Sequence, residues 1–160
     1  MEDESTYYRI ISAFVGKETV FVPDYAYEQI VLENGVYRLI EVEEGEGEIR
    51  EVCFAKSLEG CLLAINMYLK EQDYFIYKTI QPPCIDLSSS GIGDFPAIEE
   101  VRYREAVACE YVGKIFVDSY LIHCLQETYK DCNPDNRFDY ERAKREILRF
   151  RTVRDLVKTA

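Results

Sequence analysis

Short runs of β-branched and aromatic residues, each cut by a glycine or an Asn-Gly pair, constrain this chain more than any other feature. The stretch "TYYRIISAFVGKETVFV" (6–22) is broken by Gly16-Lys17, and "DYAYEQIVLENGVYRLIEV" (24–42) by Asn34-Gly35. Such runs read as strands joined by tight turns. Asn-Gly is the strongest short-range hairpin signal, because a type I′ turn needs positive φ at both central residues. The expectation is one hairpin over 6–22, then a second in which 25–33 pairs with 36–43. A competing reading caps a short helix at Asp24, runs it through 25–33 and stops it at Gly35. The hairpin is preferred.

The next segment, "EVEEGEGEIREV" (41–52), holds six glutamates, one arginine and two glycines. Gly45 and Gly47 can take positive φ without steric cost, which a reversing loop needs. The segment therefore reads as the tip and flanks of a further hairpin. Its like charges repel one another, so the tip must face water or positive charge. Glu41, Glu43, Glu44, Glu46, Glu48 and Glu51 are accordingly candidate partner-binding residues, and Glu43, Glu44, Glu46 and Glu48 are expected to be exposed.

Helical spacing appears later. In "SLEGCLLAINMYLKEQ" (57–72), Ser57 suits an N-cap and Leu58, Leu62, Ile65 and Leu69 form an apolar stripe, widened by Cys61, Ala64 and Tyr68. Residues 73–80 read as a strand. "QPPCIDLSSSGIGDFP" (81–96) reads as a connection rich in Pro, Ser and Gly. Beyond it a hairpin is expected to turn at Gly113-Lys114. Residues 111–125 echo 14–30 in their aromatic-Val-Gly-Lys frame, either as a duplicated hairpin or as the chance likeness of two hairpins with a Gly-Lys turn. Residues 135–158 read as a helix capped by Asn133 or Asp135, with Tyr140, Ala143, Ile147 and Phe150 in one stripe. The fold class is α+β: antiparallel hairpins packed by the 57–72 helix, with the 135–158 helix covering another surface. Residues 1–80, the 81–98 connection and 99–160 are expected to form one compact unit.

Composition narrows the function classes. At 48% hydrophobic and 13% aromatic, the 160 residues can fill a core. The net charge of −11 repels a free nucleic-acid backbone and favours a basic partner. Charge is uneven: residues 135–160 hold eight of the 19 Lys and Arg and five of the 30 Asp and Glu, a net +3 that leaves −14 elsewhere. The basic segment is expected to rest against the acidic remainder. The sharper alternative makes Arg142, Arg145, Arg149 and Arg151 a second docking surface or a nucleic-acid contact. "MEDESTYYRI" has no apolar signal core, and no apolar run approaches the ~18 residues of a membrane span. A cytoplasmic location without membrane contact is expected, with Cys53, Cys61, Cys84, Cys109, Cys124 and Cys132 reduced.

No catalytic signature survives inspection. The cysteines contain no C-x2–4-C pair, so a structural zinc site lacks its usual ligands. His123 is the only histidine, and neighbouring Cys124 diverges from it on any regular backbone. Ser88-Ser89-Ser90 is not a nucleophile elbow, and Gly91-Ile92-Gly93 lacks the third glycine of a dinucleotide loop. "EEGEGE" lacks the EF-hand calcium frame. No catalytic residue, metal or cofactor is expected, and binding remains.

The segment "VYRLIEVEEGEGEIREVCFAKSLEGCLLAINMYL" resembles a strand–strand–helix pattern of small phage-borne accessory proteins. There a hairpin is followed by a helix opening Ser/Thr-Leu-x-x-Ala/Cys-Leu, matched here by Ser57, Leu58, Cys61 and Leu62. The likeness covers about a fifth of the chain and carries no catalytic residues. It implies a mobile-element origin, where small acidic proteins are often inhibitors, anti-CRISPR proteins among them. The expected function is a non-catalytic acidic inhibitor or adaptor that blocks a basic, nucleic-acid-binding partner. Alternatives are an immunity or antitoxin protein neutralising a basic toxin, and a small hydrolase of unrecognised family.

Overall fold

The structure, a computed structural model, describes residues 5–24, 29–34, 36–40, 49–89, 98–132, 142, 145–146 and 148–159. Among them the strands are β1 (Tyr7–Ile11), β2 (Glu18–Phe21), β3 (Gln29–Glu33), β4 (Val36–Ile40), β5 (Val52–Ala55), β6 (Gln72–Thr79), β7 (Ile85–Asp86), β8 (Glu100–Tyr103) and β9 (Val107–Val117). The α-helices are α1 (Leu58–Ala64) and α2 (Ser119–Asp131). Asn66–Tyr68, Leu87–Ser89 and Leu148–Leu156 wind as 3-10 helices. Seven strands form one antiparallel sheet in the order β2-β9-β6-β1-β5-β8-β7, and β3 and β4 form a separate two-stranded ribbon. The class is α+β, as the sequence indicates.

The sheet is strongly curled. Phe21 of β2 and Phe54 of β5 stand four strand positions apart, ~19 Å in a flat sheet. Their ring centroids lie 6.2 Å apart. The concave face collects Tyr7, Phe54, Tyr77 and Tyr103 as buried rings, with Phe21, Phe75 and Tyr111 beside them. Tyrosine suits this position because its ring fills the hollow while its hydroxyl reaches the rim. Tyr103 Oη donates to the Gln81 carbonyl at 2.6 Å and Tyr77 Oη to that of Gly16 at 2.8 Å. The convex face carries the other core: Leu58, Leu62 and Leu63 of α1, Leu125 of α2, and Phe150 and Val153 pack on Tyr74, Ile76, Ile115 and Val117.

The Asn34 turn holds. Asn34 has φ of 51° and Glu33 pairs with Val36 across it, so the ribbon is a tight hairpin over 29–40 and not a helix through 29–33. Residues 25–28 and 41–43 of the expected pairing lie outside the described residues. β6 and α1 also stand where the pattern puts them, although α1 is shorter than 57–72. Ser57 caps it, its side chain accepting from Gly60 N. It stops because Asn66 turns its own Nδ2 onto the Leu63 carbonyl at 2.7 Å, competing with the helix ladder. Tyr68, expected in the buried stripe, is 82% exposed.

Other expectations are corrected. β1 and β2 are not a hairpin: β1 pairs with β5 and β6, and β2 with β9. β4 and β5 belong to different sheets, so the glutamate-rich segment does not cap a hairpin between them. Gly113 does not turn the chain; β9 runs through it for 11 residues as an interior strand. The glycine marks a bulge opposite Ile76 and Tyr77 and a close crossing. A Cβ there would lie 2.6 Å from the Lys158 carbonyl oxygen. Residues 119–125, in the second arm of that expected hairpin, belong instead to α2, with Asp118 Oδ1 accepting from Leu121 N at 2.8 Å as its N-cap. The echoing segments 14–30 and 111–125 thus adopt different structures in their described parts. The final helix is corrected in part: residues 142 and 145–146 are α-helical as expected, but residues 148–156 wind as 3-10, and Lys158 pairs with Lys114 of β9. Residues 85–89, expected in the connection, form β7 and a 3-10 turn.

Candidate functional site

The ribbon leaves the sheet after β2 and its chain returns at β5. Both ends of this excursion are fastened. Arg50 Nη1 donates to the Asp24 carbonyl at 2.9 Å, closing the base. The next residue, Glu51, was among the expected partner-binding residues. It is instead 2% exposed. Its Oε1 accepts from Arg102 Nη1 at 3.1 Å and its Oε2 from Arg104 Nε at 2.9 Å. Arg102, itself 1% exposed, also donates from Nε to Glu100 Oε2 at 2.9 Å. Burial alone would lower the Arg102 pKa, but the charges of Glu100, Cys53 and Glu51 outweigh it and raise it above its ordinary value.

A buried carboxylate is tolerable only when its lone pairs are engaged and its charge is met. Glu51 satisfies both conditions, so it anchors the root of the excursion rather than contacting a partner. Sequence reasoning missed Arg102 and Arg104. The signal was "EEVRYRE", where Glu100, Arg102 and Arg104 alternate with Val101 and Tyr103 and so share a face of β8. Glu41, Glu43, Glu44, Glu46 and Glu48 lie outside the described residues. On the ribbon, Arg38 pairs with Glu33 at 3.2 Å with both side chains exposed. The register sets Ile30 opposite Leu39 and Leu32 opposite Tyr37.

The basic surface is only partly brought together. Arg142 lies 3.9 Å from Asp131 at the end of α2, and Arg145 is exposed. Arg149 and Arg151 lie in the 3-10 segment, which inserts Phe150 and Val153 into the core. Arg154, itself exposed, meets a buried acid: its Nη2 donates to Glu59 Oε2 at 3.2 Å, and Glu59 is 3% exposed. The basic segment therefore rests against the acidic body through this pair.

Nucleophilic chemistry finds little support in the geometry. His123 is exposed on α2. Burial pushes the Cys61 thiol up to about 12 and the Cys109 thiol up to about 11, and raises Cys84 as well. Such thiols stay protonated at neutral pH, whereas the thiolate is the nucleophile. One hydroxyl has charged company. Ser88 Oγ accepts from Lys56 Nζ at 2.8 Å and donates to Asp86 Oδ1, while Lys56 Nζ lies 2.7 Å from Asp86 Oδ2. Burial would raise the Asp86 carboxyl, but the hydrogen bonds from Lys56 and Ser88 hold it below its ordinary value. Lys56 Nζ thus contacts both the Ser88 hydroxyl and the Asp86 carboxylate. The trio reads as an Asx-type cap on the turn after β7.

A groove of about 590 Å3 lies over β2, β9 and β6 and is lined by Glu18, Val20, Lys78, Ile80 and Glu110 among others. Among the described residues no group of three or more His, Cys, Asp or Glu side chains is arranged to hold a metal, and no helix is long and apolar enough to cross a membrane. Comparison of the chain with protein-family models, with curated proteins and with solved structures finds no match.

Proposed function

We propose that this chain is a non-catalytic acidic inhibitor or adaptor that engages a basic protein through the β3–β4 ribbon and the glutamates that follow it. The observation that carries the reading is the anchorage of the excursion: Arg50 to Asp24 at its base, and Glu51 to Arg102 and Arg104 at its root. A two-stranded ribbon alone is marginal in water. Fixing both ends shortens the free chain and lowers the ordering cost of binding. Ile30, Leu32, Tyr37 and Leu39 supply apolar residues of the kind that anchor interfaces, and the following glutamates supply charge for Arg or Lys at the rim. The natural target of such a surface is a nucleic-acid-binding groove, such as that of a host-defence nuclease complex. That suits a mobile-element origin and action in a reducing cytoplasm.

The test is affinity capture from the native host followed by association kinetics. The expected result is one basic, stoichiometric partner. Replacing Glu43, Glu44, Glu46 and Glu48 with Gln should leave unfolding unchanged and slow association by about tenfold at low salt, since steering is worth ~10–10³ in on-rate. The gap should close as salt shortens the Debye length. Wild-type association of the quadruple variant at low ionic strength would reduce the stretch to a solvated turn.

A further inference from the structure

The seven-stranded sheet ends in β2 on one side and β7 on the other. β7 has only two residues, so β2 is the edge with length to offer. Its backbone shows which way it faces. Tyr111 N donates to the Lys17 carbonyl at 2.8 Å, and the register carries the alternation on to Thr19 opposite Cys109 and Phe21 opposite Val107. Lys17, Thr19 and Phe21 therefore turn their N–H and carbonyl groups to β9, and Glu18 and Val20 turn theirs outward. No strand among the described residues lies on that side. The edge is also held in shape. Before it, Tyr77 Oη donates to the Gly16 carbonyl at 2.8 Å and accepts from Val15 N at 3.0 Å; after it, Arg50 closes on the Asp24 carbonyl. A preformed edge needs little further ordering when a strand is added to it.

The side chains beside this edge select the strand that fits. The helical segments cover the half of the convex face that carries Ile76, Ile115 and Val117. On the other half the register sets Val20 beside Ala108, with Ile80 beyond, and Glu18 beside Glu110, with Lys78 beyond. These six residues line the groove of about 590 Å3. Val20 and Ile80 are 58% and 60% exposed, an apolar row left in water. β2 carries neither the proline nor the bulge that would blunt an edge. Its one charge is Glu18, which repels only like charge. Glu18 makes no ion pair among the described residues, and Glu110 meets Lys78 at 3.4 Å in an exposed pair. Two carboxylates against one ammonium leave this row negative. A second copy would bring the same row, and the net charge of −11 on each chain adds to the repulsion. The complementary strand carries Arg or Lys opposite Glu18 and a β-branched residue opposite Val20.

We propose that β2 is extended by an antiparallel strand from a partner protein, with Arg or Lys facing Glu18 and an apolar residue facing Val20. This site is separate from the ribbon and does not rest on the ribbon's role. The test titrates ¹⁵N-labelled protein with the peptide acetyl-Val-Thr-Val-Thr-Arg-Thr-amide and with its counterpart carrying Glu in place of Arg. In the free protein the Thr19 and Phe21 amides should exchange slowly and those of Glu18 and Val20 fast. The arginine peptide should slow Glu18 and Val20 and give saturable shifts over residues 18–22. The glutamate peptide should bind about tenfold more weakly, and Glu18→Lys should reverse that preference. Val20→Pro should abolish binding while keeping the wild-type unfolding midpoint, because an edge strand tolerates the loss of an outward N–H. No protection of Glu18 and Val20, equal binding of the two peptides, or dimerisation of the free protein through these amides would each overturn the proposal. Should Val20→Pro fail to fold, the charge reversal by Glu18→Lys decides the matter alone.

Discussion

Arg50 and Asp24, 26 positions apart in the chain, are joined by one hydrogen bond of 2.9 Å. Glu51, the next residue, is buried against Arg102. The two contacts differ in kind. The first is exposed and closes a loop; the second is a desolvated ion pair. Arg50→Ala should therefore cost no more than ~1 kcal/mol, the scale of one exposed hydrogen bond. Glu51→Gln should cost about 3–5 kcal/mol, because it leaves buried positive charge under-compensated. Urea unfolding of the two variants checks the contrast. Equal costs would show that the Glu51 cluster adds nothing beyond an exposed contact.

Gly113 offers a second measurement. An added methyl group would meet the Lys158 carbonyl oxygen at 2.6 Å and Val157 Cγ1 at 2.8 Å. Gly113→Ala should break the paired bonds between Lys114 and Lys158 and cost roughly 1–3 kcal/mol through overpacking. Hydrogen exchange should show Lys114 and Lys158 amides losing protection while β6 and β1 keep theirs. Unchanged protection at Lys158 would mean that the C-terminal segment yields without loss.

Stability should fall on the alkaline side. The Cys61 and Cys109 thiols are pushed by burial from the ordinary 9.0 to about 12 and about 11. Below pH 9 both folded and unfolded chains hold these protons, and the stabilisation is fully present. Above pH 9 the unfolded chain releases them first, so each thiol removes about 1.4 kcal/mol per pH unit until its folded value is reached. The urea midpoint should drop between pH 9 and 11, and less steeply in the Cys61→Val, Cys109→Val double variant. Equal slopes would remove the thiols from the account.

Glu99 carries a backbone penalty and a charge penalty together. It adopts φ of 57°, where a side chain costs ~1–2 kcal/mol. Burial also raises its carboxyl, against the opposing charge of Lys56. A raised carboxyl contributes most below its unfolded value of 4.5 and loses that contribution as pH climbs, so the ionised form is a liability at neutral pH. Glu99→Gly should stabilise by ~0.5–1 kcal/mol at pH 7, glycine's own entropy taking back part of the relief. Glu99→Gln tests the charge alone, and its gain should vanish at pH 4. A destabilised Glu99→Gly would show that the side chain holds the loop in place.

What the sequence made legible was local. The Asn34 turn and the Ser57 cap depend on neighbours in the chain, and both are where the residues put them. The failures share a long-range cause. Gly113 looks like a turn residue until residues 157–158 are known to cross it. Glu51 looks like one more surface acid until Arg102, 51 positions later, lies beside it. The helix after Asp118 was partly readable, since Asp118 caps it and Leu121, Leu125 and Thr128 follow helical spacing. Its run of Tyr, Leu and Ile concealed that behind a strand-like composition. Of the candidate site, the acidic stretch was legible and its anchorage was not, because an ion pair in a sheet is set by strand order and no periodicity reports that.

The position of β9 dictates a timetable for synthesis. It lies between β2 and β6, yet it is the last of these strands to leave the ribosome. Until residue 117 has emerged, β2 has no described neighbour and the free edge of β6 stands open, with Tyr77 and Phe75 alongside. Sheets closed by late, distant pairings nucleate slowly and expose their edges meanwhile. The nascent chain is therefore at its most vulnerable to aggregation just before its eleven-residue strand β9 arrives, and the aromatic hollow closes in a single late event.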